Sequence, residues 1–104
     1  MEINRHDGIY LKGLTYYVPD RVVTNQELID AKQLKMKADW LSSRIGINER
    51  RWAAPEQAAS DLAVEAIKKL KSPFTEGAIF VSTISPDFLT PSTASVIKQK
   101  LGLR

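Results

Sequence analysis

The stretch DWLSSRIGINERRWA, residues 39–53, contains a helix, the glycine that ends it and a charged cluster. The apolar spacing predicts a helix over residues 35–45, and Gly46 can adopt the left-handed conformation that ends one. The residues with core spacing are Leu34, Ala38, Leu41 and Ile45. A second stripe, at positions i, i+3 and i+7, consists of Lys37, Trp40 and Arg44. The helix is therefore predicted to have an apolar face and a separate cationic and aromatic face.

Trp40 and Arg44 on that second face have two interpretations. An indole offers a flat surface for a nucleotide base, and a guanidinium can hold a phosphate with two hydrogen bonds. Alternatively, the arginine stem covers a half-buried tryptophan in a local cation–π contact that needs no ligand. The spacing alone favours the second interpretation.

Two segments before this helix also carry recognisable patterns. Residues 8–18, GIYLKGLTYYV, are rich in β-branched, aromatic and aliphatic residues and are predicted to form a strand. Gly13 within it indicates a bulge or a close backbone approach. Thr24 and Glu27 fit a capping box, in which each side chain accepts a hydrogen bond from the other residue's backbone, so a short helix should follow.

Three further elements are predicted in the second half of the chain. Residues 60–71 give the clearest helix, and Pro73 should end it. Its apolar stripe consists of Leu62, Ala63, Ala66, Ile67 and Leu70. Residues 77–83, GAIFVST, form an apolar run typical of a central strand covered on both faces. A last helix should have Pro91 at its first position and Gly102 past its end. Its inward face would consist of Ala94, Ile97 and Leu101.

The order strand, helices, strand, helix is that of an α/β protein. Two strands make a poor sheet, and the last helix has the pattern of a crossover without a returning strand. The pattern alone leaves two alternatives open. Residues 1–104 are either a complete small domain or the beginning of a longer fold with an incomplete sheet.

Composition narrows the function classes. The chain has 104 residues, which allows one domain, and its net charge of +3 comes from 15 basic and 12 acidic residues. This small, dispersed excess does not indicate nucleic acid binding and mildly favours anionic partners. Since there is no cysteine, these residues contain no disulfide, thiolate metal site or cysteine nucleophile. The N-terminus lacks a signal core and no stretch is long enough to span a bilayer, so a cytoplasmic location is expected.

Other chemically reactive residues give weaker indications. His6 has no partner at metal or triad spacing and is expected to be exposed, so no metal site is predicted. The cluster Glu49-Arg50-Arg51 could be an ionic latch or a phosphate site, but a solvated loop is favoured. Asp61 and Glu65 lie one turn apart at a helix start, where acids interact favourably with the helix dipole, so a catalytic carboxylate pair is not expected.

Together these segments resemble the N-terminal part of β-ketoacyl-(acyl-carrier-protein) synthase III, a family of condensing enzymes with the thiolase fold. The resemblance runs nearly from end to end, and it depends on the order and spacing of short fragments. These fragments are residues 13–19 (GLTYYVP), 23–25 (VTN), 27–28 (EL), 39–41 (DWL), 44–47 (RIGI), 49–51 (ERR), 53–56 (AAPE), 60–63 (SDLA), 81–83 (VST), 85–87 (SPD), 91–94 (PSTA) and 101–102 (LG).

The resemblance implies an acyltransferase. It would move an acyl group from acyl-CoA to a cysteine thiolate and then join it to malonyl-acyl carrier protein in a decarboxylative Claisen condensation. This implies acyl-CoA as a substrate with no resident cofactor, malonyl-acyl carrier protein and a second identical subunit as partners, and neither nucleic acid nor membrane. In the family, the W-x-x-x-R-x-G-I segment contacts coenzyme A. By resemblance, Trp40 binds adenine and Arg44 lies near phosphate, which reverses the preference that spacing alone gave.

The resemblance also implies a role for Thr90 and identifies catalytic residues of the family that this sequence lacks. Thr90, before the proline of the P-S-T-A segment, would lie near the neighbouring subunit's acyl pocket, where a small side chain leaves room for longer primers. The family's catalytic cysteine, histidine and asparagine are absent here. Residues 1–104 are therefore expected to be the N-terminal third of a thiolase-like domain, truncated before the nucleophile and inactive alone.

Alternatives to this interpretation remain. One is a stand-alone accessory module that binds coenzyme A or acyl carrier protein, and another is a secondary-metabolite condensing enzyme of the same superfamily. Ile45 and Met36 depart from the family pattern and leave the acyl donor open. General nucleic-acid binding has the least support.

Overall fold

The computed structural model describes residues 11–71 and 77–104. In chain order the elements are strand β1 (Arg21–Thr24), helices α1 (Asn25–Lys32) and α2 (Ala38–Ile45), strand β2 (Glu49–Trp52), and helices α3 (Ala59–Lys68) and α4 (Thr93–Lys100). None of these helices is long and apolar enough to cross a bilayer. The α/β class is confirmed, and the sheet is small.

Strands β1 and β2 pair antiparallel, with Val23 opposite Arg50 and Thr24 opposite Glu49. Val23 is fully buried, while the charged residues of β2 alternate between exposed and half-buried positions. The prediction of a solvated loop at residues 49–51 is therefore wrong. Side chains whose charged heads reach water can occupy a strand, because their stems still cover its partner.

The two predicted strands do not form in the described residues. Residues 11–18 and 77–83 have no ladder partner there, and residues 8–10 lie outside the described part of the chain. A strand requires a neighbour, and apolar content alone supplies none. Residues 11–18 instead lie along α3, where the Thr15 hydroxyl donates to the Ala66 carbonyl at 2.7 Å. A Cβ at Gly13 would lie 3.0 Å from Leu70 Cδ2, so Gly13 marks a close approach, by a side chain rather than by another backbone, and not a bulge.

The ends of α1 and α2 follow local sequence signals. Thr24 Oγ1 accepts from the Glu27 N–H at 3.2 Å, as the capping box predicts. The Glu27 carboxylate does not complete the box, because it pairs with Arg21 at 2.8 Å. Helix α2 begins at Ala38, three residues later than predicted, and Gly46 ends it with φ = 74°, as predicted.

Helices α3 and α4 pack on each other, and their ends partly match the prediction. Helix α3 begins one residue before the predicted start and ends at Lys68, and Pro73 lies outside the described residues. The placement of Pro91 at the first position of α4 is wrong, because Ser92 caps the helix by accepting from the Ser95 N–H at 3.3 Å. Gly102 follows the helix with φ = 66°, which confirms its predicted role.

The core is small. Within residues 11–71 and 77–104 its buried apolar residues are Val23, Ile29, Leu41, Val64, Val96 and Ile97. Ile97 confirms the predicted inward face of α4, whereas Val64 and Val96 were not predicted. Leu34 and Ile45 were expected in the core but are 37% and 57% exposed, so this part of the prediction is wrong for the described residues.

Apolar side chains remain exposed over much of the surface. Phe80, Ile84 and Leu89 are 94%, 104% and 99% exposed. The radius of gyration is 19.1 Å, whereas a compact domain of this length has about 13 Å. We therefore predict that the isolated 104-residue chain self-associates at micromolar concentration, because exposed apolar surface drives association. Sedimentation velocity checks this, and a compact monomer of 11.7 kDa would contradict it.

Candidate functional site

Helix α2 presents Trp40 and Arg44 on one exposed face. The two residues are one turn apart, which places their Cβ atoms about 5–6 Å from each other. Trp40 is 50% exposed and Arg44 is exposed, while Leu41 on another face is the buried residue of the helix. The helix thus holds a ring and a guanidinium side by side with their outer surfaces open to solvent.

The local cation–π alternative is not the geometry observed. Within residues 11–71 and 77–104, the cations above aromatic rings are Arg21 and Lys32 over Trp52, at 5.1 and 5.9 Å, and Lys69 over two tyrosines. Trp40 has no such contact in these ranges, nor does the Arg44 side chain have a hydrogen bond or ion pair there. The pair can therefore receive a ligand without breaking a described contact.

Asn25 links helix α2 to the rest of the chain by side-chain hydrogen bonds, in addition to the packing of α2 against α1. The Asn25 amide donates to Ser42 Oγ at 3.0 Å and to the Ile47 carbonyl at 2.7 Å. Arg50 donates to the Asn25 carbonyl oxygen at 2.6 Å. This network was not predicted from the sequence, although Asn25, Ile47 and Arg50 lie in the fragments VTN, RIGI and ERR that carry the resemblance.

A second polar cluster joins α3, α4 and the segment before α4. Ser60, which is fully buried, donates through Oγ to Asp87 Oδ2 at 2.5 Å and accepts from Lys100 Nζ at 2.7 Å. The Ser60 backbone N–H donates to Asp87 Oδ1 at 2.9 Å. Lys100 also contacts Asp61 Oδ1 at 2.5 Å. No sequence pattern predicted this cluster, because Ser60, Asp87 and Lys100 are far apart in the chain.

This cluster holds α3, α4 and the segment before α4 together and does not have the arrangement of a catalytic site. A nucleophilic serine needs an exposed oxygen and a base that accepts its proton. Here the Ser60 hydroxyl is buried, its proton points to the Asp87 carboxylate, and the Lys100 ammonium donates to the Ser60 oxygen.

The hydrogen bond from Lys100, and after it the backbone N–H of Ala58, lowers the pKa of Asp61. The Ser60 hydroxyl, and less strongly its backbone N–H, lowers the pKa of Asp87 against the opposing effect of burial.

Among the described residues, Thr90, Asp61 and Glu65 make no hydrogen bond or ion pair with Trp40 or Arg44. Thr90 is exposed in the irregular segment before α4. Asp61 pairs with Lys100, and Glu65 pairs with Lys68 at 2.9 Å, so the two acids do not form a shared site. His6 lies outside the described residues. No group of three or more potential metal ligands occurs in the part of the chain that the structure describes.

Comparison with known proteins shows which proteins this chain is similar to. No family model matches the chain. Among curated proteins, it is 43% identical over 96 residues to the beta-ketoacyl-(acyl-carrier-protein) synthase III of Laribacter hongkongensis, covering 88% of this chain and 30% of that protein. The protein of the same name from Rhodopirellula baltica is 40% identical over 100 residues, with 91% of this chain and 28% of that protein covered.

Solved structures agree with the sequence comparison. The synthase III of Thermus thermophilus matches with a TM-score of 0.75 and 37% identity, over 86% of this chain and 29% of that one. The chain belongs to the β-ketoacyl-(acyl-carrier-protein) synthase III family. A variant of OleA from Xanthomonas campestris is also similar, with a TM-score of 0.71 and 27% identity over 86% of this chain and 30% of that one. The chain thus forms a portion of the thiolase-like fold of the synthase III family, and it spans about three tenths of the length of the curated relatives it matches.

Proposed function

We propose that the protein containing this chain is an acyltransferase that condenses an acyl-CoA primer with malonyl-acyl carrier protein in fatty-acid or related biosynthesis. The condensation would proceed through a cysteine thioester, with the cysteine, histidine and asparagine supplied by residues outside this chain. The protein would act as a cytoplasmic homodimer. Family membership supports the reaction type, and one observation supports the role of this segment: the exposed indole and guanidinium of Trp40 and Arg44 on one face of α2.

The chemistry of coenzyme A suits this pair. Its adenine and phosphates are joined through one ribose, so a flat ring and a cation that lie side by side can contact both. Stacking of a base on an aromatic ring contributes about 1–3 kcal/mol. A guanidinium adds a charge-assisted hydrogen bond to phosphate, which salt weakens because the site is exposed. Both groups bind the end of the substrate remote from the thioester, so they should affect binding more than the chemical step.

Single substitutions in the full-length protein test this proposal. We expect Trp40→Ala and Arg44→Ala each to raise KM for acyl-CoA about tenfold, the equivalent of about 1.4 kcal/mol, with little change in kcat. Trp40→Phe should retain most of the stacking, whereas Arg44→Lys should lose the two-pronged contact. Steady-state kinetics measure these effects.

The matched control is Ser43→Ala on the same helix. The Ser43 hydroxyl donates to the carbonyl of Trp40 within α2, and its short side chain offers neither a ring nor a charge to a nucleotide. We expect this variant to leave KM for acyl-CoA unchanged. If both alanine variants of the pair also leave it unchanged, the pair does not bind coenzyme A.

A further inference from the structure

Helix α2 has little of its own to fix its position. It has eight residues and one buried side chain, Leu41, and Lys37 at its N-cap makes no side-chain hydrogen bond to its first turn. Isolated helices shorter than about 12–15 residues are marginal in water. The direction in which this helix presents its side chains therefore depends on contacts from outside it.

Asn25 supplies those contacts from a buried position. It is 4% exposed, and both hydrogens of its amide are used, one at Ser42 Oγ and one at the Ile47 carbonyl. Its carbonyl oxygen accepts from Arg50, and its backbone N–H donates to the Asn48 carbonyl at 3.2 Å. Arg50 also donates to the Val23 carbonyl at 3.3 Å. Asn25 therefore connects α2, and the residues that directly follow it, to both strands of the sheet.

The point of attachment lies behind the ligand-facing side. Ser42 is two residues from Trp40 and two from Arg44, which places it about 200° around the helix axis from each. Asn25 thus holds the back of α2 while the indole and the guanidinium face outward. A rotation or shift of the helix would move both groups together and misalign them with a rigid nucleotide.

We infer that Asn25 is a positioning residue for acyl-CoA, acting through Ser42 and the end of α2 and held in turn by Arg50. This inference rests on the proposed function, because it gives Asn25 a role only if the exposed pair binds the nucleotide. Aspartate at position 25 could still accept from Arg50, but it could not donate to Ile47. Only the amide satisfies a guanidinium on one side and a carbonyl on the other.

The test is a double-mutant cycle on the full-length protein with acyl-CoA as the varied substrate. We expect Ser42→Ala to raise KM about threefold and Asn25→Asp about tenfold, with kcat within about twofold of wild type. In a Trp40→Ala, Arg44→Ala background, Ser42→Ala should have no further effect on KM, because there is no pair left to position. A merely structural role would lower Tm without this dependence on the background.

The possible results distinguish the positioning role of Asn25 from the proposed binding of acyl-CoA by Trp40 and Arg44. If the Trp40 and Arg44 variants raise KM but Ser42→Ala and Asn25→Asp do not, the positioning inference is wrong and the proposed function stands. If Ser42→Ala raises KM equally in both backgrounds, Asn25 acts elsewhere and the inference is again wrong. If the exposed pair has no effect on KM, both fail. Ser42→Ala keeps the test decisive should Asn25→Asp not fold.

Discussion

Replacing Asp87 by alanine should destabilise the full-length protein by about 2–3 kcal/mol, since it leaves two donors of the fully buried Ser60 without an acceptor. One of these donors is a first-turn backbone N–H of α3. The N-cap of that helix is Ala58, which has no side-chain oxygen to accept from it. Asp87 therefore performs from outside the helix the role that a serine or aspartate normally performs at the cap.

Urea unfolding of the full-length protein measures this loss. Asp30→Ala is the matched control, because Asp30 is exposed on α1 and accepts one hydrogen bond from Gln26. It should change the free energy of unfolding by less than about 0.5 kcal/mol. A loss of that small size for Asp87→Ala would refute the capping role.

The same contact gives Asp87 a pH signature. The Ser60 hydroxyl, and then its backbone N–H, lowers the pKa of Asp87 in the folded protein below the ordinary value of 3.8. A depressed folded pKa means that the unfolded chain binds the proton more readily. The stabilisation is therefore complete above the unfolded value and is lost as pH falls through the folded one. Asp87→Asn retains one acceptor but does not titrate, so its stability should vary less with pH in that acidic range.

Elements that depend on neighbouring residues could be predicted from the sequence. Gly46 and Gly102 end their helices because a left-handed residue is needed there and glycine adopts it without strain. The cap at Thr24 is equally local, spanning three residues. These signals, together with apolar periodicity, were enough to predict that the helices exist. The predicted helix ends differ from the observed ones by up to three residues.

Features that depend on residues distant in the chain could not be predicted from the sequence. Asp87 caps α3 across 27 residues and Arg50 reaches Asn25 across 25, and no local pattern specifies either pairing. The runs at residues 11–18 and 77–83 have strand composition but no described neighbour to pair with, so their composition misled the prediction. The exposed pair on α2 was found from spacing, but a ligand for it came only from the family resemblance.

Replacing Thr90 by phenylalanine should change the acyl-chain preference of the full-length protein. We propose, on the family resemblance, that Thr90 borders the acyl pocket of the neighbouring subunit. In this chain Thr90 is exposed, and Asp87 anchors its segment three residues earlier. Forcing extra volume into a packed site costs about 1–3 kcal/mol. Because a long primer fills the pocket and a short one does not, the penalty should fall mainly on the long primer. The ratio of kcat/KM for a medium-chain acyl-CoA to that for acetyl-CoA should therefore fall about 10- to 100-fold.

Thr90→Val separates pocket volume from the loss of the hydroxyl, because valine has nearly the shape of threonine. It should leave the ratio of the two kcat/KM values unchanged. If Thr90→Phe also leaves the ratio unchanged while folding normally, Thr90 does not border the pocket. If both variants lower it, the hydroxyl rather than the volume carries the effect. Only a fall confined to phenylalanine fits a steric limit, because the added ring removes space that a short primer never occupies.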